Sequence, residues 1–504
     1  MFRDGPRVKV WDQIRQRHLP AFNRLLTREV VIEAARLAGV AVGDSPLSVL
    51  MLPWLAVSAA LHVGKSFAEV LVVALKILSD QPGWEKSPLG RQCAVPRHCQ
   101  GKKRGQRGKK GKQPVQKNKH DPRGNWLGSV TEEAFTQARK RLPLSFWAWL
   151  LIVLAQRLEA AYPQADRWNE FRLLMLDGTH VPLARWKGLI DYFGTAKNGK
   201  KKAHQRPQAR MVMLALAQTR TPWRYEVTPW STHEQAIAHR LLVGLRANDL
   251  VLMDRGFWSY ALFWQIAQQH AFFAIRLRSN IPLKTVKRLG SGDRLVTWRP
   301  CRKSRRKGLV SWEGLPREIT LRVVDYQIRG FRKTAVVTNV LDPKRVARQD
   351  WVRLAGYDAA GQVIEAGLYH RRWGIETLFS ELKIRQGMVQ GLRGRTPDSI
   401  HYEIAGHVLL YLLTRWLMVE AGAAHQVDPA ELSFVAAQRE LEDMRVTLLT
   451  ATPQRIRRIL LPRLLERIAQ HRIPFRPGRH YPRIQEKYKT AKYRKRTKIR
   501  KTKA

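Results

Sequence analysis

The chain has 504 residues and a formal net charge of +51, from 91 Lys and Arg against 40 Asp and Glu. Such an excess calls for a polyanionic partner, most simply DNA or RNA, while 44% hydrophobic residues and 17 Trp exclude a disordered basic chain. Three cysteines, Cys93, Cys99 and Cys301, are too few for a disulfide framework and fit a reducing cytosol.

The opening MFRDGPRVKVW lacks an apolar core, so no secretory signal is expected, and the expected location is cytoplasmic, with the nucleoid. Residues 1–98 read as a helical, DNA-binding domain. Thr27 is placed to cap a helix through Ala38, and apolar helices fit about 47–63 and 66–79. The apolar stretch from Leu47 to Val63 contains Pro53 and is shorter than a bilayer span, so a buried helix is expected and no membrane partner. Cys93, His98 and Cys99 have no second ligand pair to complete a zinc site. Residues 99–125 read as a basic linker or arm; GKKRGQRGKKGKQPVQKNKHDPRGN has almost no large apolar residue. It is either a solubilising linker or an arm that tracks phosphates, and the overall charge favours the arm.

Residues 126–280 read as the first part of an α/β core. A capping box fits Ser129 to Glu132, ahead of a helix carrying Arg139, Lys140 and Arg141. Leu173 to Leu176 has strand character and leads into Asp177-Gly178-Thr179, read as a turn. Met211 to Leu216 and Trp223 to Val227 resemble a hairpin. A helix fits 233–246, a strand Leu250 to Met253, a helix about 258–269, and a strand Phe272 to Leu277. This order predicts a mixed α/β sheet. Residues 281–345 read as a mostly β insertion, with strands at Ile319 to Val324 and Ala335 to Val340 and a basic loop at 301–308. Residues 346–425 return to the core with a long helix, and 426–504 form a helical region and a basic tail.

That long helix contains YHRRWGIETLFSELK. In an α-helix, Tyr369, Arg372, Glu376 and Lys383 fall within roughly a 60° arc, beside an apolar stripe of Ile364, Leu368, Ile375, Leu378, Phe379 and Leu382. Asp177 and Asp254 each follow a strand-like run. In open α/β sheets functional groups gather at strand ends. Two such aspartates and Glu376 make three hard oxygen ligands, which suit Mg²⁺ or Mn²⁺. Two such ions can activate a nucleophile and stabilise the leaving oxygen of a phosphodiester. Singly, each residue has a plainer reading: a turn aspartate, a solvated glutamate, surface cations.

The Tyr369-Arg372-Glu376-Lys383 spacing resembles the signature of bacterial DDE transposases of the insertion sequence four family. LMLDGTHV around Asp177 and LVLMDRGF around Asp254 are similar to that family's aspartate motifs. The likeness runs in order from about residue 20 to 480, through Gln137 to Leu142, VVTNVLDP at 336–343 and Arg-Pro-Gly-Arg at 476–479. It implies a ribonuclease H-like mixed sheet with a β insertion, preceded by a helical N-terminal domain. It implies that Asp177, Asp254 and Glu376 bind two divalent ions, and that Tyr369, Arg372 and Lys383 contact terminal DNA. Arg255 would be a phosphate contact or an ion-pair partner. Trp298 and Trp312 are candidates to stack on a flipped base, with core packing as the alternative. The implied activity is cleavage of element ends and joining of the 3′-ends to target DNA, by a dimer assembled on double-stranded DNA. A nuclease without strand transfer, or an inactive DNA-binding relative, would carry the same fold. No helix-turn-helix signature is recognisable near the N-terminus.

Overall fold

The computed structural model describes residues 20–42, 47–66, 69–70, 132–196, 206–299, 314–327, 333–358 and 360–475. The arm at 101–125, Ser129, Trp312, all three cysteines, His98, the loop at 301–308 and residues 476–504 lie outside them.

Ten strands make one mixed sheet. In chain order they are β1 (Arg167–Trp168), β2 (Phe171–Pro182), β3 (Gln208–Leu216), β4 (Pro222–Pro229), β5 (Asp249–Met253), β6 (Phe272–Arg276), β7 (Lys284–Gly290), β8 (Asp293–Trp298), β9 (Ile319–Tyr326) and β10 (Thr334–Thr338). The spatial order is β4-β3-β2-β5-β6-β10-β9-β8-β7, with β1 paired to β2. β3 pairs antiparallel with both β2 and β4, while β2, β5 and β6 are mutually parallel. β5 is buried along its whole length, as a continuous apolar run inside a parallel sheet must be.

The strands of the segment at 281–345 do not form a sheet of their own. β10 pairs antiparallel with β6, and β9, β8 and β7 follow outward. β6 would otherwise leave an unpaired edge, and this segment supplies its missing hydrogen bonds. β7 ends the sheet with Lys284, Lys287 and Arg288 exposed, the charged kind of edge that resists further pairing.

The helices that matter are α1 (Arg28–Leu37), α2 (Leu52–Leu61), α3 (Glu132–Lys140), α4 (Leu144–Ala161), α5 (Glu234–Leu241), α6 (Tyr260–Gln268), α7 (Gly374–Ser380) and α8 (Pro397–His425). Thr27 caps α1 by accepting from the Val30 amide, as its position before the apolar run predicts. α1 packs on α4 and α2 packs on α8, so the N-terminal helices share one apolar core with the sheet. The α2–α8 crossing depends on Gly406, where a Cβ would stand 2.5 Å from the Ala56 carbonyl oxygen. α4 and α8 are long and apolar enough to cross a membrane, but the apolar window of α8 is wholly buried inside the protein, which marks a core helix.

Candidate active site

Leu176 on β2 stands opposite Met253 on β5, so the next residue of each parallel strand, Asp177 and Asp254, lies beside the other. Here β5 stops while β2 continues to Pro182, paired with β3. Asp177 is therefore mid-strand and not in a turn. The backbone partner that ends is β5, whose last residue, Met253, precedes Asp254. Glu376 arrives from α7, which lies against β2. Gly374 permits that approach: a Cβ there would stand 3.1 Å from the Met175 sulfur.

The segment carrying Glu376 is not one uniform α-helix. Leu368–Trp373 is a 3₁₀ turn, Gly374–Ser380 is α-helical, and Glu381–Arg385 is a π turn. The expected straight stripe is broken accordingly. Tyr369 and Arg372 turn inward and are each 5% exposed, while Glu376 and Lys383 line a cleft of about 360 Å³ with Asp177 and Thr179. The Tyr369 hydroxyl donates to the Met253 carbonyl at 3.2 Å, one residue before Asp254. Burial pushes its ionisation well up, so it remains a phenol. Lys383 donates to Thr179 Oγ1 at 2.9 Å and to the His180 carbonyl at 2.8 Å, just beyond Asp177 on β2. Burial lowers the Lys383 pKa.

Arg372 reaches between two of the acids. Its guanidinium lies 3.6 Å from Asp177 Oδ2 and 3.5 Å from Glu376 Oε1, both long for ion pairs, and its buried Nε has no hydrogen-bond partner among the described residues. Burial pushes the Asp177 carboxyl up to about 6, with Asp254 and Glu376 adding to the rise and the Gly178 amide and Arg372 opposing it. Three carboxylates thus stand near one another, with Arg372 between Asp177 and Glu376 and Lys383 in the same cleft. Among the described residues they do not close into a ready-made metal cage, and Arg372 stands between two of them. The all-oxygen donor set fits hard divalent cations.

Arg255 is exposed and lines a second cleft, about 570 Å³, with Asp254, Arg278, Ser279 and Asn280. The ion-pair reading for Arg255 finds no acid partner among the described residues. Trp298 is buried, packed against Trp258 at 5.3 Å and Tyr260 at 5.1 Å between ring centroids. It offers no face to a base, and the core-packing alternative describes it. Trp373 was not anticipated: it is 49% exposed, with the Arg372 guanidinium 4.6 Å over its ring. It lies inside the quoted signature, but a uniform helix sets neighbouring residues about 100° apart and hides such a stack.

Residues 168–413, which include all three acids, match the transposase DDE domain family. The chain is 27% identical over 375 residues to the transposase InsG for insertion sequence element IS4 of Escherichia coli (strain K12), covering 72% of this chain and 79% of that one. It is 22% identical over 290 residues to the putative transposase y4zB of Sinorhizobium fredii, covering 57% and 71%. It is 24% identical over 200 residues to a probable transposase for insertion sequence element IS5377 of Geobacillus stearothermophilus, covering 38% and 45%. Among solved structures, a piggyBac transposase synaptic complex with hairpin DNA aligns over 91% of this chain and 84% of that one. Its TM-score of 0.33, at 8% identity, is too low to bear on the fold. These matches support a DDE transposase of the insertion sequence four family.

Proposed function

We propose that this insertion sequence transposase binds element-end DNA, cleaves a phosphodiester there and joins the freed 3′-end to target DNA, using Asp177, Asp254 and Glu376. The observation that carries this is the convergence of two aspartates on adjacent parallel strands with a glutamate from the helix packed over them. The order β4-β3-β2-β5-β6, antiparallel through its first three strands and parallel through its last three, supports a ribonuclease H-like core. DDE transposases use divalent metal ions. In this chain Asp177, Asp254 and Glu376 would hold two Mg²⁺ or Mn²⁺, which supply Lewis-acid activation of the attacking oxygen and stabilise the leaving one.

The other side chains do the positioning. Tyr369 fixes the carbonyl preceding Asp254, and Arg372 holds Asp177 and Glu376 toward one point. Lys383 shares the cleft with Glu376, so a point charge is available to a phosphate lying over that acid. Arg255 and Arg278 give the second cleft two forked donors suited to backbone phosphates. The exposed ring of Trp373 offers a stacking surface beside the acids. Two ends must meet for transposition, which calls for a homodimer on DNA.

The test is cleavage and joining of a labelled duplex taken from the DNA flanking the gene, with Mg²⁺ and with EDTA, comparing wild type and Asp254→Ala. Metal-dependent 3′-end cutting followed by joining, both lost in the variant, is the expected result. Cutting without any joined product would reduce the reading to a nuclease. Tight binding with no metal-dependent chemistry would reduce it to a DNA-binding protein.

A further inference from the structure

Beyond Lys383's contacts at Thr179 and His180, β2 runs on to Pro182 and then enters an exposed loop. That loop places Arg185, Trp186 and Lys187 on the surface. Trp186 is 42% exposed, and Tyr192, from the short helix that follows, is 46% exposed. The turn before α8 brings Arg395 onto Trp186, its guanidinium 4.4 Å from the ring centroid. The two loops are in contact, since a Cβ on Gly188 would stand 3.7 Å from the Arg395 carbonyl oxygen.

Packing does not account for this cluster. With Arg395 already stacked on it, nearly half of the Trp186 surface still faces solvent. Asp191 and Asp398 lie in the same elements, so bulk charge here is modest and the argument rests on the stacked pair. A guanidinium held flat on an exposed indole is pre-ordered for a phosphate along its edge, while the indole remains free for a sugar or a base. Its position adds a second reason. Along β2, Pro182 lies five residues past Asp177, about 17 Å at the usual strand rise. A DNA backbone following that strand past Lys383 covers the distance in about five base pairs.

We propose that Trp186 and Arg395 form a second DNA-contact surface, gripping the element-end duplex about five base pairs from the cleaved phosphate. The proposal rests on the reading of the acids given above. It places no role in chemistry on either residue; both hold the duplex as it leaves the site.

The experiment uses the full chain and end duplexes extended by 2, 5, 10 and 15 base pairs on either side of the cleavage point, design values of about half a helical turn or less per step. Wild type, Trp186→Ala, Arg395→Ala and Arg395→Lys are compared by titration at several salt concentrations and by hydroxyl-radical footprinting. Wild-type affinity is expected to rise once one side exceeds about five base pairs. Both alanine variants should lose that rise, by about tenfold on long duplexes. Arg395→Ala should reduce the salt slope by about one, and Arg395→Lys should keep the slope but lose part of the affinity. Footprints should lose protection in that stretch alone, on the side that identifies element or flanking DNA. Variants that match wild type at every length, or that lose affinity equally at every length, overturn the surface. Wild type that binds no end duplex of any length overturns the reading of the acids and this surface with it. Thermal melts of the variants separate misfolding from loss of contact, and a footprint unchanged in a variant that melts like wild type also overturns it.

Discussion

Asp177 is held where its charge is costly, since burial and two neighbouring acids push its carboxyl up to about 6. On the proposed reading, that charge serves a cation. Glu376→Gln and Asp254→Asn are each expected to cut the single-turnover cleavage rate by about a thousandfold or more, the scale of a lost electrostatic anchor. Equilibrium affinity for end DNA should stay within about threefold, because a +51 protein keeps its phosphate contacts when one acid is neutralised. Equal losses in binding and cutting would remove these acids from the chemistry. Arg372→Ala should also lower the cleavage rate, and Arg372→Lys should not restore it. A single ammonium cannot span Asp177 and Glu376 as the guanidinium does at 3.6 and 3.5 Å. Restoration by lysine would show that only the charge matters. The three proposed acids were legible as candidates in the sequence because side-chain type and the strand or helix context around each are local properties. The inward turn of Tyr369 and Arg372 was not, because it depends on how the segment at 368–385 departs from a regular helix.

That departure is an element-scale property, and a buried ionic cluster holds it. Glu381 opens the π turn and points into the core, where Oε2 accepts from Tyr411 and from Arg415, each at 2.7 Å. Arg220, from the β3–β4 turn, lies 3.6 Å from Oε1. Gln386 adds a bond to the His407 carbonyl at 2.8 Å. α8 thereby sets the bearing of Lys383 relative to Glu376. Arg415→Met leaves Glu381 buried without its partner and should cost about 3–5 kcal/mol in denaturant unfolding. The double variant Arg415→Met with Glu381→Met should recover most of that stability, yet still cleave more slowly than wild type with a higher metal concentration for half-maximal rate. Full recovery of both would reduce the cluster to packing. A buried acid on α8 itself, Glu403, gives a pH test. Burial pushes Glu403 up to about 7, against a lowering by the Arg393 amide and by Arg393 itself. The unfolded acid ionises near its ordinary value, so the stability it confers is complete below about 4.5 and is lost as pH rises through 7. Glu403→Gln should therefore raise the melting temperature at pH 8, by no more than about 3 kcal/mol of stability, with the gain fading toward pH 4.5. An equal gain at both pH values would sink this account. The sequence marked α8 only as part of the core, and its polar cluster was hidden because Glu381, Arg415 and Arg220 are far apart in the chain. Strand order failed in the same way: apolar runs marked the strands at 319–326 and 334–338, but nothing local says that β10 completes β6.

At the scale of the whole molecule, charge governs assembly. A chain of +51 repels its own copies at low ionic strength, and a polyanion shared between two copies removes that repulsion. Two ends must be held together for joining, so the pair is expected to form on DNA and not before it. Sedimentation or mass photometry in 50–200 mM salt, the range over which counterion release is usually read, should find the protein monomeric alone. On adding end duplex it should move to a two-protein, two-duplex species. Raising salt across that range should weaken end binding by about a thousandfold or more, as expected when several phosphates are neutralised at once. The paired species should vanish with it, because each copy is held through the same phosphates. A dimer already present without DNA, and indifferent to salt, would mean that a protein–protein interface assembles the pair. The excess of Lys and Arg would then serve DNA capture alone.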